Sequence, residues 1–286
     1  MDSLSIVIPA KNEADGLTRV LPALRTLFPD AEIVVVNDGS SDDTPDVCRR
    51  HAVNIVTHPY SMGNGAAIKT GARATSGSTL VFMDADGQHN PEDIHKLLSK
   101  LGEGYDMAVG ARHGSSQASL GRSYANTIYN WLASWMVNRR IDDLTSGFRA
   151  VRARKFREFI YLLPNGFSYP TTITMSFFRA GYPVGYVPIM AKKREGKSHI
   201  NPLRDGMRFL LIIFKVGTLY SPLKIFVPIS LAFFATGLGY YVYTFLAEHR
   251  FTNMSGLLFT TSILIFLIGL VSEQITNLLY SRREEP

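Results

Sequence analysis

In Leu80-Val81-Phe82-Met83-Asp84-Ala85-Asp86-Gly87-Gln88, four apolar residues run directly into two carboxylates. The apolar run predicts a buried strand, and Asn90-Pro91-Glu92-Asp93 predicts a helix start, with an N-cap residue followed by proline at the first helical position. Open α/β sheets bind their ligands at such strand-to-helix turns. Asp84 and Asp86 are therefore candidate ligands of a hard divalent ion, and Gln88 adds a neutral oxygen. Solvated turn carboxylates are the alternative interpretation.

Strand and helix patterns alternate up to about residue 110. Short runs rich in Val and Ile, bounded by turn residues, predict strands at 5–8, 32–36, 54–57, 79–83 and 107–109. The segments between them predict helices at 13–27, 44–51, 66–74 and 91–101. This alternation is typical of the α/β class with a doubly wound, mostly parallel sheet. From 114 to about 161 the pattern turns helical and aromatic, around Trp131 and Trp135.

Two long uncharged stretches, 225–247 and 251–272, lie near the C-terminus. Each is long enough to cross a hydrocarbon layer as a helix, which takes about 20 apolar residues. The turn between them, Glu248-His249-Arg250, is short. The pair therefore predicts a transmembrane hairpin with spans at about 225–247 and 255–280. A buried helical hairpin in a soluble core is the alternative.

The positive charges lie mainly on one side of this hairpin. Basic residues are frequent between 192 and 224 and recur at Arg282 and Arg283, whereas the turn carries only Arg250. The positive-inside rule then predicts a multi-pass protein of the cell membrane, with the N-terminal domain and both termini in the cytoplasm. The single cysteine, Cys48, fits a reducing compartment. The net charge of +6 indicates anionic lipid and phosphate rather than nucleic acid as partners, because the basic residues crowd the membrane side.

These patterns divide the chain into three parts. Residues 1–200 form the predicted α/β domain. Residues 201–222 alternate apolar and cationic positions, which predicts amphipathic juxtamembrane helices at the membrane interface. Residues 223–286 contain the hairpin. The sequence leaves a homo-oligomer open.

Two further polar clusters end the first and second predicted strands. Pro9-Ala10-Lys11-Asn12-Glu13 follows the first, and Asn37-Asp38-Gly39-Ser40-Ser41-Asp42 follows the second. Asp38 is placed to accept hydrogen bonds from a base or a ribose, as an acid does in dinucleotide folds, although a plain turn with a helix cap also explains the pattern. The segment from Gly63 to Gly71 lacks the G-x-G-x-x-G spacing, and no Walker motif is present. Dinucleotide redox chemistry and P-loop ATP hydrolysis are therefore poor interpretations.

Five motifs in order carry a family resemblance. They are Pro-x-x-Asn-Glu (9–13), Asn-Asp-Gly-Ser (37–40), Asp-Ala-Asp-x-Gln-His (84–89), Gly-Ala-Arg (110–112) and Asp-Leu-Thr-Ser-Gly-Phe-Arg (143–149). Together they resemble the inverting glycosyltransferases of family 2, which have the GT-A nucleotide-diphospho-sugar transferase fold. The polyprenyl-phosphate branch, typified by dolichol-phosphate mannose synthase and undecaprenyl-phosphate glucosyltransferases, is the most similar. The resemblance covers roughly residues 4–200, and the trailing hairpin matches this branch too.

The resemblance implies a set of site residues. The nucleotide-sugar donor would be bound by Pro9, Ala10, Asn12, Glu13, Asp38, Lys69, Asp84, Ala85, Asp86, Gln88, Arg194 and Lys197. Mg²⁺ or Mn²⁺ would be held by Asp84, Asp86 and Gln88. The acceptor phosphate would be bound by Arg112, Arg122 and Asn126. The catalytic residues would be Asp86, Arg112, Arg122 and Arg194. Asn37 departs from the pattern, because many family members carry a second Asp there. Asp143, Ser146 and Arg149 fit either a structural cap and salt bridge or a functional role.

The implied function is transfer of a single hexose, with inversion, from a GDP-mannose, UDP-glucose or UDP-GlcNAc type of donor to dolichyl or undecaprenyl phosphate. A phosphate monoester is already anionic at neutral pH, since its second pKa is near 6, so it needs no general base to attack an anomeric carbon. Two alternatives stay open. A processive polysaccharide synthase usually carries a Gln-x-x-Arg-Trp motif and more spans, and neither is found here. A non-catalytic nucleotide-sugar-binding scaffold would most simply have lost Asp84 and Asp86.

Overall fold

The computed structural model describes residues 3–112, 120–166, 169–190, 214 and 217–281. It divides into two compact units, Met1–His199 and Ile200–Pro286. The first unit holds alternating strands and helices, and the second holds two long apolar helices. Most of the predicted juxtamembrane segment, namely 201–213, 215 and 216, lies outside the described residues.

All five predicted strands and all four predicted helices form, and further elements follow them. The strands are β1 (Leu4–Ala10), β2 (Glu32–Asn37), β3 (Asn54–Thr57), β4 (Thr79–Phe82), β5 (Met107–Arg112), β6 (Arg149–Arg152) and β7 (Val184–Ile189). The helices are α1 (Ala14–Leu27), α2 (Thr44–Arg50), α3 (Asn64–Ala74), α4 (Asp93–Gly102), α5 (Leu120–Val137), α6 (Ala153–Arg157) and α7 (Tyr169–Arg179). The expected helical region around Trp131 and Trp135 is α5.

The described strands form one sheet in the order β3-β2-β1-β4-β6-β5-β7. Every pairing is parallel except those of β6, which runs antiparallel to both β4 and β5. The chain winds outward from β1 to β3 and then returns to the other side of β1 with β4. The strand order therefore reverses between β1 and β4, and ligands of open α/β sheets bind at the carboxyl ends of strands beside such a switch.

Helices cover both faces of the sheet. Ile6 and Ile8 of β1 point into a core shared with Leu17 and Leu21 of α1. The intervening Val7 points to the opposite face, where α3 approaches so closely that a Cβ on Gly71 would lie 2.2 Å from Val7 Cγ1. Successive strand residues face opposite sides, so this two-sided burial explains the nearly continuous apolar runs of the sequence.

The start of α4 differs from the prediction. Pro91 was expected at the first helical position, but α4 begins at Asp93 with Glu92 as its N-cap residue. The Asn90 carbonyl accepts the Asp93 amide at 3.0 Å, and the Asn90 side chain accepts the Glu92 amide at 3.3 Å. The polar side chain therefore stabilises a separate turn ahead of the helix, as Asn commonly does.

The sequence-based prediction also missed β6, and its first residue explains why. Arg149 is completely buried in the described structure. Its guanidinium donates to the Pro170 and Ser146 carbonyls and to Thr174 Oγ1. Burial lowers the pKa of Arg149, because the charged form loses its hydration. An arginine inside a short strand interrupts the apolar pattern by which strands are recognised.

The second unit contains helices α8 (Pro222–Glu248) and α9 (Asn253–Ser281). Both are long and apolar enough to cross a membrane. They pack against each other through a reciprocal pair, in which Ser230 Oγ donates to the Ser262 carbonyl at 3.0 Å and Ser262 Oγ donates to the Ser230 carbonyl at 2.9 Å. Small hydroxyl residues that satisfy each other in this way are typical of helix contacts inside membranes.

Candidate active site

A cavity of about 350 Å³ lies at the carboxyl ends of β1, β2 and β4, beside the reversal of strand order. Seven of the residues predicted to bind the donor line it: Pro9, Ala10, Glu13, Asp38, Asp84, Ala85 and Asp86. Its volume is within the usual range of small-molecule sites, about 300–1,000 Å³. The structure thus brings the three separate strand-end motifs together around one concave surface.

Asp38 lies in the wall of this cavity and is 4% exposed. Its Oδ1 accepts hydrogen bonds from His58 Nδ1 at 2.8 Å and from the Met62 amide at 2.7 Å. Its Oδ2 accepts from Ser61 Oγ at 2.8 Å and from the Gly63 amide at 2.9 Å. Burial alone would raise the pKa of Asp38, but these hydrogen bonds outweigh it and lower the pKa below the usual value.

The acid turn after β4 is held much more loosely. The Asp84 side chain is 40% exposed, and its contact with His89 is long, with Nε2 3.7 Å from Oδ2. Asp86 Oδ1 accepts the Gln88 amide at 3.0 Å. The His89 ring is buried and stacks on Phe148, with 4.8 Å between the ring centroids. The two carboxylates therefore keep most of their oxygen lone pairs available.

The backbone below Asp84 leaves room for a ligand. A Cβ on Gly147 would lie 3.2 and 3.4 Å from the two Asp84 carboxylate oxygens and 3.3 Å from the Tyr169 hydroxyl. Glycine at 147 thus adds no side chain of its own beside the carboxylate. No cluster of three acidic, His or Cys side chains suited to a metal occurs among the described residues. The pair of carboxylates in the cavity matches an ion such as Mg²⁺, which takes one or two carboxylates from the protein and its other ligands from phosphate and water.

Two predicted donor residues face a different cavity. Asn12 and Gln88 line a neighbouring space of about 850 Å³, which shares only Glu13 and Asp86 with the first. Asn12 has a positive φ of 55°, and its Oδ1 accepts the Ser41 amide at 2.8 Å. In this structure Asn12 joins the loops after β1 and β2, and the Gln88 side chain is not grouped with Asp84.

Lys69 lines neither cavity. Its ammonium donates to the Leu163 carbonyl at 3.0 Å and to Asn165 Oδ1. Burial lowers the pKa of Lys69, and the charge of Arg73 adds to the effect. The lysine predicted to bind the donor thus anchors residues 163–165 to helix α3 in this structure.

Arg112, at the end of β5, is held along one edge of its guanidinium. Its Nε donates to Asp143 Oδ2 at 2.8 Å, and its Nη2 donates to Asp143 Oδ1 at 3.1 Å and to Thr145 Oγ1 at 2.7 Å. Burial would raise the pKa of Asp143, but the hydrogen bond and charge of Arg112 lower it. Nη1 makes no hydrogen bond within the part of the chain that the structure describes.

Four of the predicted site residues lie wholly or partly outside the described structure. Arg122 and Asn126 belong to α5, but the side chains of this helix before Thr127 are not described. Arg194 and Lys197 lie outside the described residues altogether. Sequence reasoning in turn missed five lining residues of the smaller cavity: Lys11, Ser61, Gly63, Asn64 and Ala67. Four of these come from the connection between β3 and α3 and from α3 itself. The only signal for them was the position of that connection at the same edge of the sheet.

A model of glycosyl transferase family 2 matches residues 5–161, more than half of the chain. The chain belongs to this family. A second model, the GtrB C-terminal hairpin, matches residues 221–278, which cover most of α8 and α9. The resemblance seen in the five sequence motifs is therefore confirmed at the level of the family.

Similar proteins are known from archaea and bacteria. Glycosyltransferase AglJ of Haloferax volcanii is 28% identical over 97% of this chain and 95% of its own length. A dolichyl-phosphate hexose transferase of the same organism is 26% identical over 75% of this chain and 94% of its own length. A polyprenol monophosphomannose synthase of Mycolicibacterium smegmatis is 29% identical over 66% of this chain and 77% of its own length.

A solved structure has the same fold. Glucosyl-3-phosphoglycerate synthase from Mycobacterium tuberculosis, in complex with Mn²⁺, UDP and glucosyl-3-phosphoglycerate, superposes with a TM-score of 0.60 and 21% sequence identity. The match covers 75% of this chain and 78% of that chain. The predicted GT-A fold is thus confirmed, and the protein is a family 2 glycosyltransferase with two apolar C-terminal helices.

Proposed function

We propose that this glycosyltransferase transfers one sugar, with inversion, from a nucleotide-sugar donor to the phosphate of a membrane-embedded polyprenyl phosphate. The cavity at the carboxyl ends of β1, β2 and β4 takes the donor, and a GDP- or UDP-sugar is the expected class. Support comes from relatives named as dolichyl-phosphate and polyprenol-phosphate sugar transferases. The hairpin supports a lipid acceptor, since it would keep the catalytic domain at the bilayer surface.

The observation that carries the proposal is the open acid turn. Asp84 and Asp86 offer hard oxygen ligands inside the cavity, and Gly147 leaves the Asp84 carboxylate unobstructed. These two acids would hold Mg²⁺ or Mn²⁺, with Gln88 as a further candidate ligand if its loop turns toward them. When bound, such an ion neutralises charge that develops on the leaving diphosphate.

The acceptor side follows from arginines. Asp143 and Thr145 fix one edge of Arg112, which directs the charge of the guanidinium while its Nη1 edge faces no described partner. An arginine held in this way can bind phosphate oxygens without the entropy loss of a free side chain. Arg122 and Asn126 are proposed to share the phosphate. Because the nucleophile is already anionic, we expect no additional Asp or Glu to act as a base.

The direct test is a matrix of substrates. The purified full-length protein in detergent is incubated with GDP-mannose, UDP-glucose or UDP-GlcNAc, each with undecaprenyl phosphate, dolichyl phosphate or the corresponding unphosphorylated alcohol. We expect one donor class to give a polyprenyl-phosphate sugar, and the alcohols to give none. A polymeric product would favour a processive synthase instead. Tight donor binding without any product would favour the scaffold interpretation.

Two arginine variants separate the roles of donor and acceptor. Arg122→Ala should abolish transfer and leave the affinity for the nucleoside diphosphate unchanged, because Arg122 is assigned to the lipid phosphate. Arg194→Ala should weaken donor binding, since a lost hydrogen bond to a charged group costs about 1.5–3 kcal/mol. Calorimetry with the nucleoside diphosphate, beside turnover of both variants, gives the answer. The opposite pattern would reverse the two assignments.

The proposed membrane topology places the catalytic domain and both termini in the cytoplasm. A tag at Met1 and a tag at Pro286 should then be digested on the same side of sealed vesicles, and a tag at Asn253 on the other side. Different protection of the two termini would contradict the two-span arrangement.

A further inference from the structure

The loop between β3 and α3, residues 58–63, forms one wall of the smaller cavity through Ser61 and Gly63. Its first residue, His58, is 7% exposed and bridges two elements. Nδ1 contacts Asp38 after β2 at 2.8 Å, and Nε2 contacts Thr70 Oγ1 of α3 at 2.9 Å. Since a carboxylate only accepts, Nδ1 carries a hydrogen, and Nε2 of a neutral ring then accepts from the Thr70 hydroxyl.

Asp38 joins the far end of the same loop to this bridge. It accepts the Met62 and Gly63 amides and the Ser61 hydroxyl in addition to His58. A carboxylate offers about four lone-pair positions, so the four donors of the loop use the full set. Asp38 therefore ties His58, at the start of the loop, to the residues at its far end.

Backbone packing fixes the loop from a second side. Gly39 has a φ of +68°, and a Cβ there would lie 2.9 Å from the Ser61 amide nitrogen and 2.9 Å from the Tyr60 carbonyl carbon. A positive φ and so close an approach of two backbones both require glycine. The loop is thus held by Asp38 and by the turn after it, although its own side chains at Tyr60 and Met62 are exposed.

We propose that His58, acting with Asp38 and Thr70, is a positioning residue for the donor: it fixes loop 58–63 in the conformation that presents Ser61 and Gly63 to the nucleoside, without touching the nucleotide. The inference rests on the proposed function for the identity of the ligand. It gives Asp38 a role in the construction of the pocket, in addition to the donor contact that the family resemblance implies.

The test compares four forms of the full-length protein in detergent. His58→Ala removes both bonds of the ring, His58→Asn keeps a donor for Asp38 but cannot reach Thr70, and Thr70→Val removes only the hydroxyl. Thr75→Val is the control, because Thr75 lies just after the same helix and, among the described residues, its hydroxyl donates to the Gly71 and Ala72 carbonyls and not to the loop. Each form is measured by hydrogen exchange of the peptide covering 59–65 and by calorimetry with UDP and GDP in the presence of Mn²⁺.

We expect His58→Ala to accelerate exchange of the Met62 and Gly63 amides and to weaken nucleotide binding about tenfold to a hundredfold, the equivalent of one charge-assisted hydrogen bond. His58→Asn should recover much of both effects, Thr70→Val should be intermediate, and Thr75→Val should match the wild type. In turnover assays the KM for the donor should rise, while the KM for the lipid stays unchanged.

Two results would overturn the inference. Unchanged loop exchange together with weaker binding would mean that His58 acts on the nucleotide directly, and unchanged exchange and binding would mean that it has no role there. If His58→Ala does not fold, His58→Asn and Thr70→Val still decide, because each removes a single bond. A wild type that binds neither UDP nor GDP would instead contradict the proposed function, and loop exchange would still test the positioning.

Discussion

Asp38 and Asp84 follow the two strands that flank β1, yet the protein treats them in opposite ways. Asp38 is 4% exposed and accepts four hydrogen bonds from loop 58–63. The Asp84 side chain is 40% exposed, and the distance from its Oδ2 to His89 Nε2 is 3.7 Å. A carboxylate whose lone pairs are filled by its own chain supports structure, whereas one left unsatisfied beside a cavity is available to a ligand. From this contrast we expect a structural role for Asp38 and a role in ligand binding for Asp84.

The largest effect is expected at the open turn. Asp84→Ala and Asp86→Ala should each lower turnover by about a thousandfold or more, because losing a metal clamp removes several kcal/mol of charge stabilisation. Thermal denaturation should remain near that of the wild type, since neither side chain supports the fold. EDTA should reproduce the loss in the wild type, and added Mn²⁺ should reverse it. Activity that survives both treatments would show that the turn is not a metal site.

At Asp38 we expect the substitution to lower the stability of the fold. Asp38→Asn places an amide nitrogen among N–H and O–H donors, so at least one buried donor loses its acceptor. The free energy of unfolding should fall by about 1.5–3 kcal/mol, measured by thermal or chemical denaturation of the full-length protein in detergent. Asp43→Asn is the control, because Asp43 is exposed and makes no side-chain cap bond at α2. If both variants were equally stable, the hydrogen bonds around Asp38 would not support the fold.

The pH dependence of that difference sharpens the comparison. The pKa of Asp38 is lowered in the folded protein, because its hydrogen bonds outweigh the effect of burial. Its stabilising contribution is therefore complete above the unfolded-state pKa, about 3.9, and is lost as the pH falls toward the lower folded-state pKa. The stability gap between the wild type and Asp38→Asn should shrink as the pH falls below about 4. A gap that widened in acid would contradict this.

The sequence predicted the strands that carry the site, but it did not predict the side-chain contacts that distinguish Asp38 from Asp84. The apolar runs of β1, β2 and β4 are local signals, so these strands were predicted close to their observed bounds. The hydrogen bonding of Asp38 depends on His58 and Gly63. These residues follow β3 and reach Asp38 through the pairing of β3 with β2. Both aspartates follow an apolar strand, so their local sequence patterns are alike. Neither pattern includes loop 58–63, which donates hydrogen bonds to Asp38.

Lys69 and β6 show the same limit from other directions. The family resemblance implies that Lys69 binds the donor, but its ammonium donates to Leu163 and Asn165, which are distant in sequence. Strand β6 was missed because Arg149 donates to the Pro170 carbonyl and the Thr174 hydroxyl of α7, which are distant in sequence. Prediction from hydrophobic periodicity assumes that charged side chains face water. It fails where hydrogen bonds from distant residues replace water around a buried charged group.

The smallest effect is expected beside Asp84, at Gly147. A methyl group at this position would lie 3.2 Å from one Asp84 carboxylate oxygen and 3.3 Å from the Tyr169 hydroxyl, so one of the two groups must shift by a few tenths of an ångström. Tyr169 is buried and donates to the Gly147 carbonyl at 3.2 Å, whereas Asp84 is half-exposed and has freedom to move. Gly147→Ala should therefore displace the carboxylate rather than the ring.

The affinity for Mn²⁺ in the presence of UDP is measured by the loss of the free-ion EPR signal. In Gly147→Ala this affinity should weaken about threefold to tenfold, at the low end of the cost of overpacking. Gly102→Ala, where a Cβ meets nothing within 4 Å, is the control and should bind Mn²⁺ like the wild type. Unchanged Mn²⁺ affinity in a normally folded Gly147→Ala would mean that Asp84 does not need the space that glycine leaves. Asp86 would then be the main protein ligand of the ion.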